Sequence, residues 1–122
     1  VDWLFENPVT QALKIGCFGA STGAAAALVA AAERPQNIAA VVSRGGRPDL
    51  AGSHLAQVQS PTLLVVGSLD TQVLELNENA LAQLRCEKRL EVVPGATHLF
   101  EELGTLDQAA QLASRWFTRY LV

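Results

Sequence analysis

What this sequence most plainly lacks is a run of basic residues. Nine Lys and Arg stand against twelve Asp and Glu, giving a formal charge of −3 with no Lys/Arg cluster. It therefore offers neither nucleic acid nor an anionic membrane an electrostatic footprint. Long apolar runs are missing too. The longest, AAAALVAAA at residues 24–32, is nine residues, against about 20 needed to cross a bilayer, and reads as a buried helix. Cysteine is scarce: Cys17 and Cys86 lack CxxC spacing, which argues against a disulfide framework or a zinc site and for a reducing, cytoplasmic setting. The chain opens on Val-Asp-Trp-Leu-Phe rather than Met, without the basic start or cleavage pattern of a signal peptide, and is expected to be a piece of something longer. No repeat, low-complexity linker or second compositional block divides it. Residues 1–122 thus read as one domain around one modest core.

What is present is an alternation of short apolar segments and helical patterns. LKIGCF (residues 13–18, beginning at Leu13 and ending at Phe18) closes on Gly19 and suits a buried strand, because glycine interrupts a helix. An alanine-rich helix follows from Thr22 to about Glu33, stopped by Pro35. IAAVVS (38–43) and PTLLVVG (61–67) read as strands buried on both faces, and LEVV (90–93) as a fourth. Val73, Leu76, Ala80, Leu81 and Leu84 fall near helical spacing. Thr105 and Gln108 have capping-box spacing, and a stripe from Ala109 through Trp116 to Leu121 traces the face of a last helix. Strands alternating with helices predict parallel pairing through crossovers. The expected class is α/β: three layers on a mainly parallel sheet of about four strands. The glycine-bearing stretch 44–60 is the longest irregular part and the expected functional loop.

Chemistry concentrates where these predicted strands end. Gly19-Ala20-Ser21-Thr22-Gly23 matches GxSxG between a strand and a helix, the context a nucleophile elbow needs: small neighbours, a strained serine, and helix N-terminal amides aimed at the same spot. The backbone N–H of Thr22 is the expected oxyanion donor. A serine hydroxyl needs a base, and the base needs a group to fix its tautomer. Only two histidines exist. His98 lies in PGATHLF just past the last strand, His54 lies in the middle loop, and Asp70 closes GSLD directly after the PTLLVV strand. Ser21, Asp70 and His98 therefore each sit beyond the C-terminal end of a different strand, where open parallel sheets bind ligands.

These residues resemble the C-terminal part of an α/β-hydrolase, closest to its dienelactone hydrolase-like branch, with GASTG as the elbow, GSLD as the acid turn and GATHLF as the histidine loop. The likeness covers nearly the whole chain from Leu13 onward. It implies Ser21 as nucleophile, Asp70 as orienting acid and His98 as general base. The implied reaction is esterase-like, cleaving a small-molecule ester or related acyl bond through an acyl-enzyme, with no metal or organic cofactor. Dienelactone hydrolases proper use a cysteine nucleophile, so the serine at position 21, with Cys17 back in the strand, points to a general esterase-like member. The family's sheet has eight strands with the elbow after the fifth. The first four strands, and the loop bearing the other oxyanion donor, thus have no counterpart, and the 13–18 strand is left with an open apolar edge. A homodimer about a two-fold axis, or a missing N-terminal segment, is expected to cover that edge.

A competing reading is a truncated hydrolase-like domain without useful catalysis, serving as an assembly or binding module. Arg44 and Arg47, at the end of the second strand, are placed either to bind a substrate carboxylate or to pair with Asp49 and other surface carboxylates. His54, Glu101 and Glu102 read as solvated surface.

Overall fold

A computed structural model describes residues 15–121; Leu13 and Lys14, the start of the predicted first strand, lie outside them. In chain order the elements are β1 (Ile15–Ala20), α1 (Thr22–Glu33), β2 (Ile38–Arg44), a 3-10 segment (Pro48–Gln57), β3 (Thr62–Gly67), α2 (Thr71–Gln83), β4 (Lys88–Val93) and α3 (Thr105–Leu121). The strands pair in the order β1-β2-β3-β4, every pair parallel. Parallel neighbours require a crossover between consecutive strands, and each gap in the chain holds one.

Apolar residues of both parities along the inner strands explain the layering. Every residue of β3 is buried. Leu64 faces a core with Leu28, Val41, Leu55 and Leu84, while Leu63 and Val65 face a second core with Val42, Val93, Phe100 and Trp116. Side chains alternate across a strand, so α1, α2 and the 3-10 segment cover one face and α3 the other. This is why β2 and β3 read as continuous hydrophobic runs rather than as alternating ones. Trp116 fixes α3 to the sheet through Nε1, which donates to the Pro61 carbonyl at 3.2 Å. Lys88 closes the C-terminal end of α2 by donating Nζ to the carbonyls of Leu81 and Leu84 at 2.6 and 2.8 Å.

Two sequence expectations are corrected. The stretch 44–60 is not irregular: Pro48, pre-set at the first turn, opens 3-10 turns that run to Gln57 and are broken only at Gly52, whose φ is +55°. Ala51, Leu55 and Val58 pin this segment into the core beneath α1 and α2. The capping box at Thr105 is also not formed. Its hydroxyl instead donates to the Glu102 carbonyl at 2.8 Å, and Gln108 N–H bonds the Gly104 carbonyl as an ordinary helical turn.

Among the described residues β1 is an edge strand, with Phe18 on it 52% exposed. No helix among them is long and apolar enough to cross a membrane.

Candidate active site

All four strands run the same way, so their C-terminal ends share one rim. Register pairs Ala20 with Arg44 and Gly67 with Val93 there. Ser21 follows β1 directly, Asp70 stands at the start of α2, and His98 lies in the turn after β4.

Ser21 sits between β1 and α1 at φ 50°, ψ −124°, a region that costs an L-residue about 1–3 kcal/mol unless its surroundings enforce it. The surroundings are specific. A Cβ on Gly19 would lie 2.6 Å from Ala24 Cα, so only glycine lets the helix fold back this closely on the strand. The Ser21 carbonyl accepts from Ala24 N–H at 3.3 Å and from Arg47 N–H at 2.9 Å. The second bond ties the elbow to the turn after β2, where a Cβ on Gly46 would overlap Ser43 Oγ and Ala24 Cβ. Thr22, the first residue of α1, presents an N–H of the kind that finds no acceptor inside its own helix.

Ser21 Oγ lies 3.1 Å from His98 Nε2, and His98 Nδ1 lies 2.8 Å from Asp70 Oδ2. Asp70 occupies the N-cap position of α2 yet makes no side-chain cap bond; its carboxylate turns to the imidazole instead. The Asp70 side chain is 13% exposed and that of His98 40%, so the carboxylate is sheltered while the imidazole faces the open rim. A carboxylate only accepts hydrogen bonds, so Nδ1 is the donor towards Asp70, and in the neutral imidazole Nε2 is then the acceptor that faces the hydroxyl. Such a line can draw a proton off Ser21 as its oxygen attacks.

The other singled-out residues divide. Arg47 is paired with Asp49 through two bonds, Nε to Oδ1 at 3.0 Å and Nη2 to Oδ2 at 2.9 Å, and this pairing lowers the Asp49 carboxyl pKa and raises that of Arg47. Arg44 points to the opposite face of the sheet, 5.5 Å from the centre of the Phe100 ring. His54 Nδ1 bonds the Ala51 carbonyl at 3.2 Å within the 3-10 segment. Cys17 and Cys86 are half-buried free thiols, and burial pushes both up in pKa. Glu102 is not simply solvated: its carboxylate accepts two bonds from Thr97.

Sequence reasoning also passed over Asn77. It is fully buried on α2 and donates Nδ2 to the Gly46 carbonyl at 3.1 Å and to the Val73 carbonyl at 2.8 Å. Through Gly46 it steadies the turn whose next amide holds Ser21. The available signal was an amide four residues after Val73, within the stripe that Val73, Leu76, Ala80 and Leu81 mark as the inner face. Replacing Asn77 by alanine is expected to lower the unfolding free energy by about 2–3 kcal/mol, because a buried carbonyl loses its donor and a void is left. A urea titration reads this as a lower midpoint.

The chain matches the dienelactone hydrolase family over residues 1–120. A solved dienelactone hydrolase from Anabaena variabilis ATCC 29413 is 63% identical, with a TM-score of 0.94 over 99% of this chain and 56% of its own. A curated protein of Mycobacterium tuberculosis (strain ATCC 25618 / H37Rv), provisionally named a phosphoribosyl transferase, is 60% identical over 119 residues, 98% of this chain. The chain spans 27% of that relative's length. The solved esterase domain of a Rhodothermus marinus protein shares the fold at 19% identity, with a TM-score of 0.78 over 88% of this chain and 62% of its own.

Proposed function

Because the chain belongs to the dienelactone hydrolase family, we propose that it is the catalytic part of a serine hydrolase that cleaves a carboxylic ester or related acyl bond. The observation that carries this reading is the unbroken line Ser21 Oγ, His98 Nε2, His98 Nδ1, Asp70 Oδ2, with steps of 3.1 and 2.8 Å. In it Ser21 Oγ adds to the acyl carbon as His98 Nε2 takes the hydroxyl proton. The imidazolium, held by Asp70, returns that proton to the departing alkoxide. Water, deprotonated by the same nitrogen, then releases the acid and restores the serine. The oxyanion forms against the N–H of Thr22 at the positive end of α1.

The strained elbow supports the same reading, because strain of that size persists where neighbouring structure imposes a geometry. The phosphoribosyl transferase name belongs to a relative of which this chain covers 27%; the rest of that protein has room for a second chemistry.

A short activated ester tests the reaction class. With p-nitrophenyl acetate the full-length protein is expected to release a burst of p-nitrophenolate close to one equivalent, then turn over more slowly as the acyl-enzyme hydrolyses. A folded protein that gives neither burst nor turnover contradicts the reading and favours an assembly or binding module.

The β1 edge, unpaired among the described residues, belongs to this proposal, since an open edge strand recruits another strand. An N-terminal segment of the full protein, or a second copy about a two-fold axis, covers it and brings the second oxyanion donor. A monomeric mass in solution with β1 amides exchanging as fast as an open edge would count against both.

A further inference from the structure

We propose that Glu102 is a positioning residue for His98, holding the histidine loop so that the imidazole keeps its place against Ser21; this rests on the serine-hydrolase reading above. The His98 side chain is 40% exposed, so packing around the ring does not fix it. Its place depends on the backbone of the turn that carries it.

That turn is strained. Phe100 has φ +56°, a left-handed conformation that costs a residue bearing a Cβ about 1–2 kcal/mol. Something must hold the backbone there, and two devices do. Phe100 is buried to 2% exposure beneath the Arg44 guanidinium, and its N–H bonds the Thr97 carbonyl at 3.1 Å. Glu102 supplies the other. Its Oε1 accepts the Thr97 N–H at 3.0 Å and its Oε2 accepts the Thr97 hydroxyl at 2.7 Å.

Glu102 is itself anchored from behind. Its carbonyl accepts the Thr105 hydroxyl at 2.8 Å and the Thr105 N–H at 3.1 Å, and Thr105 opens α3. The carboxylate therefore joins the residue immediately before His98 to the first turn of a helix packed on the sheet. The chain from 97 to 102 becomes a closed loop with His98 inside it. The bonds from the Thr97 hydroxyl and N–H also hold the Glu102 carboxyl below its ordinary pKa, so at neutral pH it is ionised and accepts both.

Removing the carboxylate leaves the cores untouched, because Glu102 belongs to neither. It releases the Thr97 peptide, and with it the direction of the His98 side chain. A reacting group displaced by about 1 Å can cost on the order of 100-fold in rate. Glutamine can restore the clamp: its amide oxygen accepts the Thr97 N–H, and its amide N–H donates to the Thr97 hydroxyl.

The test uses the full-length protein with the parent sequence, Glu102→Ala and Glu102→Gln. Two readings are taken: the rate at which an organophosphonate ester labels Ser21, and hydrogen exchange of the Thr97 and Phe100 amides, which bond Glu102 Oε1 and the Thr97 carbonyl. For Glu102→Ala the expected result is a fall in labelling rate of about 10- to 100-fold, with protection of the Thr97 and Phe100 amides lost and the urea midpoint near the parent's. Glu102→Gln should recover most of both. Labelling by Glu102→Ala at the parent rate overturns this proposal and leaves the hydrolase reading standing. A slower rate that follows a lowered urea midpoint, with glutamine no better than alanine, makes Glu102 merely structural and overturns it too. A parent protein that does not label overturns the hydrolase reading and this one with it.

Discussion

Replacing Ser21 by alanine is expected to lower kcat on an activated ester by at least about 10⁴-fold, with the fold unchanged. The size follows from what is removed. In the proposed mechanism Ser21 Oγ, 3.1 Å from His98 Nε2, is the atom that bonds to the acyl carbon, and without it only water is left to attack. The fold survives because the hydroxyl supports no other described contact. The elbow is held by the Ser21 carbonyl, through Ala24 and Arg47, and alanine keeps that carbonyl. A serine that merely filled a tight turn would give the opposite result, near-parent turnover in Ser21→Ala. Steady-state rates with p-nitrophenyl acetate, beside a urea titration of both proteins, distinguish the two.

Asp70→Asn is the second large effect, expected to lower kcat by about 10³- to 10⁴-fold. The carboxylate, 2.8 Å from Nδ1, accepts only, and so holds the proton on Nδ1 and leaves Nε2 free to take the serine proton. An asparagine of the same shape can turn its NH₂ to that nitrogen. The proton then resides on Nε2, and the base points a hydrogen at the hydroxyl it should deprotonate. KM should move little, since Asp70 lies behind the imidazole from Ser21. Asp70 makes no side-chain cap bond to α2, so lost activity in Asp70→Asn cannot be blamed on a frayed helix. Equal kcat in parent and variant would deny Asp70 its role.

How legible was this in the sequence? The strand-turn-helix around Ser21 was readable because its demands are local: a strand, two small-residue positions and an alanine-rich helix lie between Ile15 and Glu33, and α1 spans Thr22–Glu33 as the spacing requires. That Asp70 and His98 come close to Ser21 was readable because a parallel sheet puts every strand's end on one rim, so the position after a strand fixes the place in space. The stretch 44–60 was not, since its glycines look like loop signals while its folding is decided by Leu55 and Val58 entering a core built from distant segments. Asn77 and Glu102 were missed for a related reason. Asn77 reaches Gly46 across 31 positions, and no pattern around residue 77 announces that. Glu102 sits in a run that composition marks as solvated, and only the folded turn brings Thr97 to it.

That Ser21, activated by His98 and Asp70, is a nucleophile is the step on which the proposed mechanism rests. Its most direct test is to treat the folded full-length protein with an organophosphonate ester and locate the adduct by mass spectrometry. One phosphonyl group per chain is expected, on Ser21, absent from Ser21→Ala and strongly slowed in His98→Ala. A folded protein that stays unlabelled, or carries its label on another residue, would contradict it.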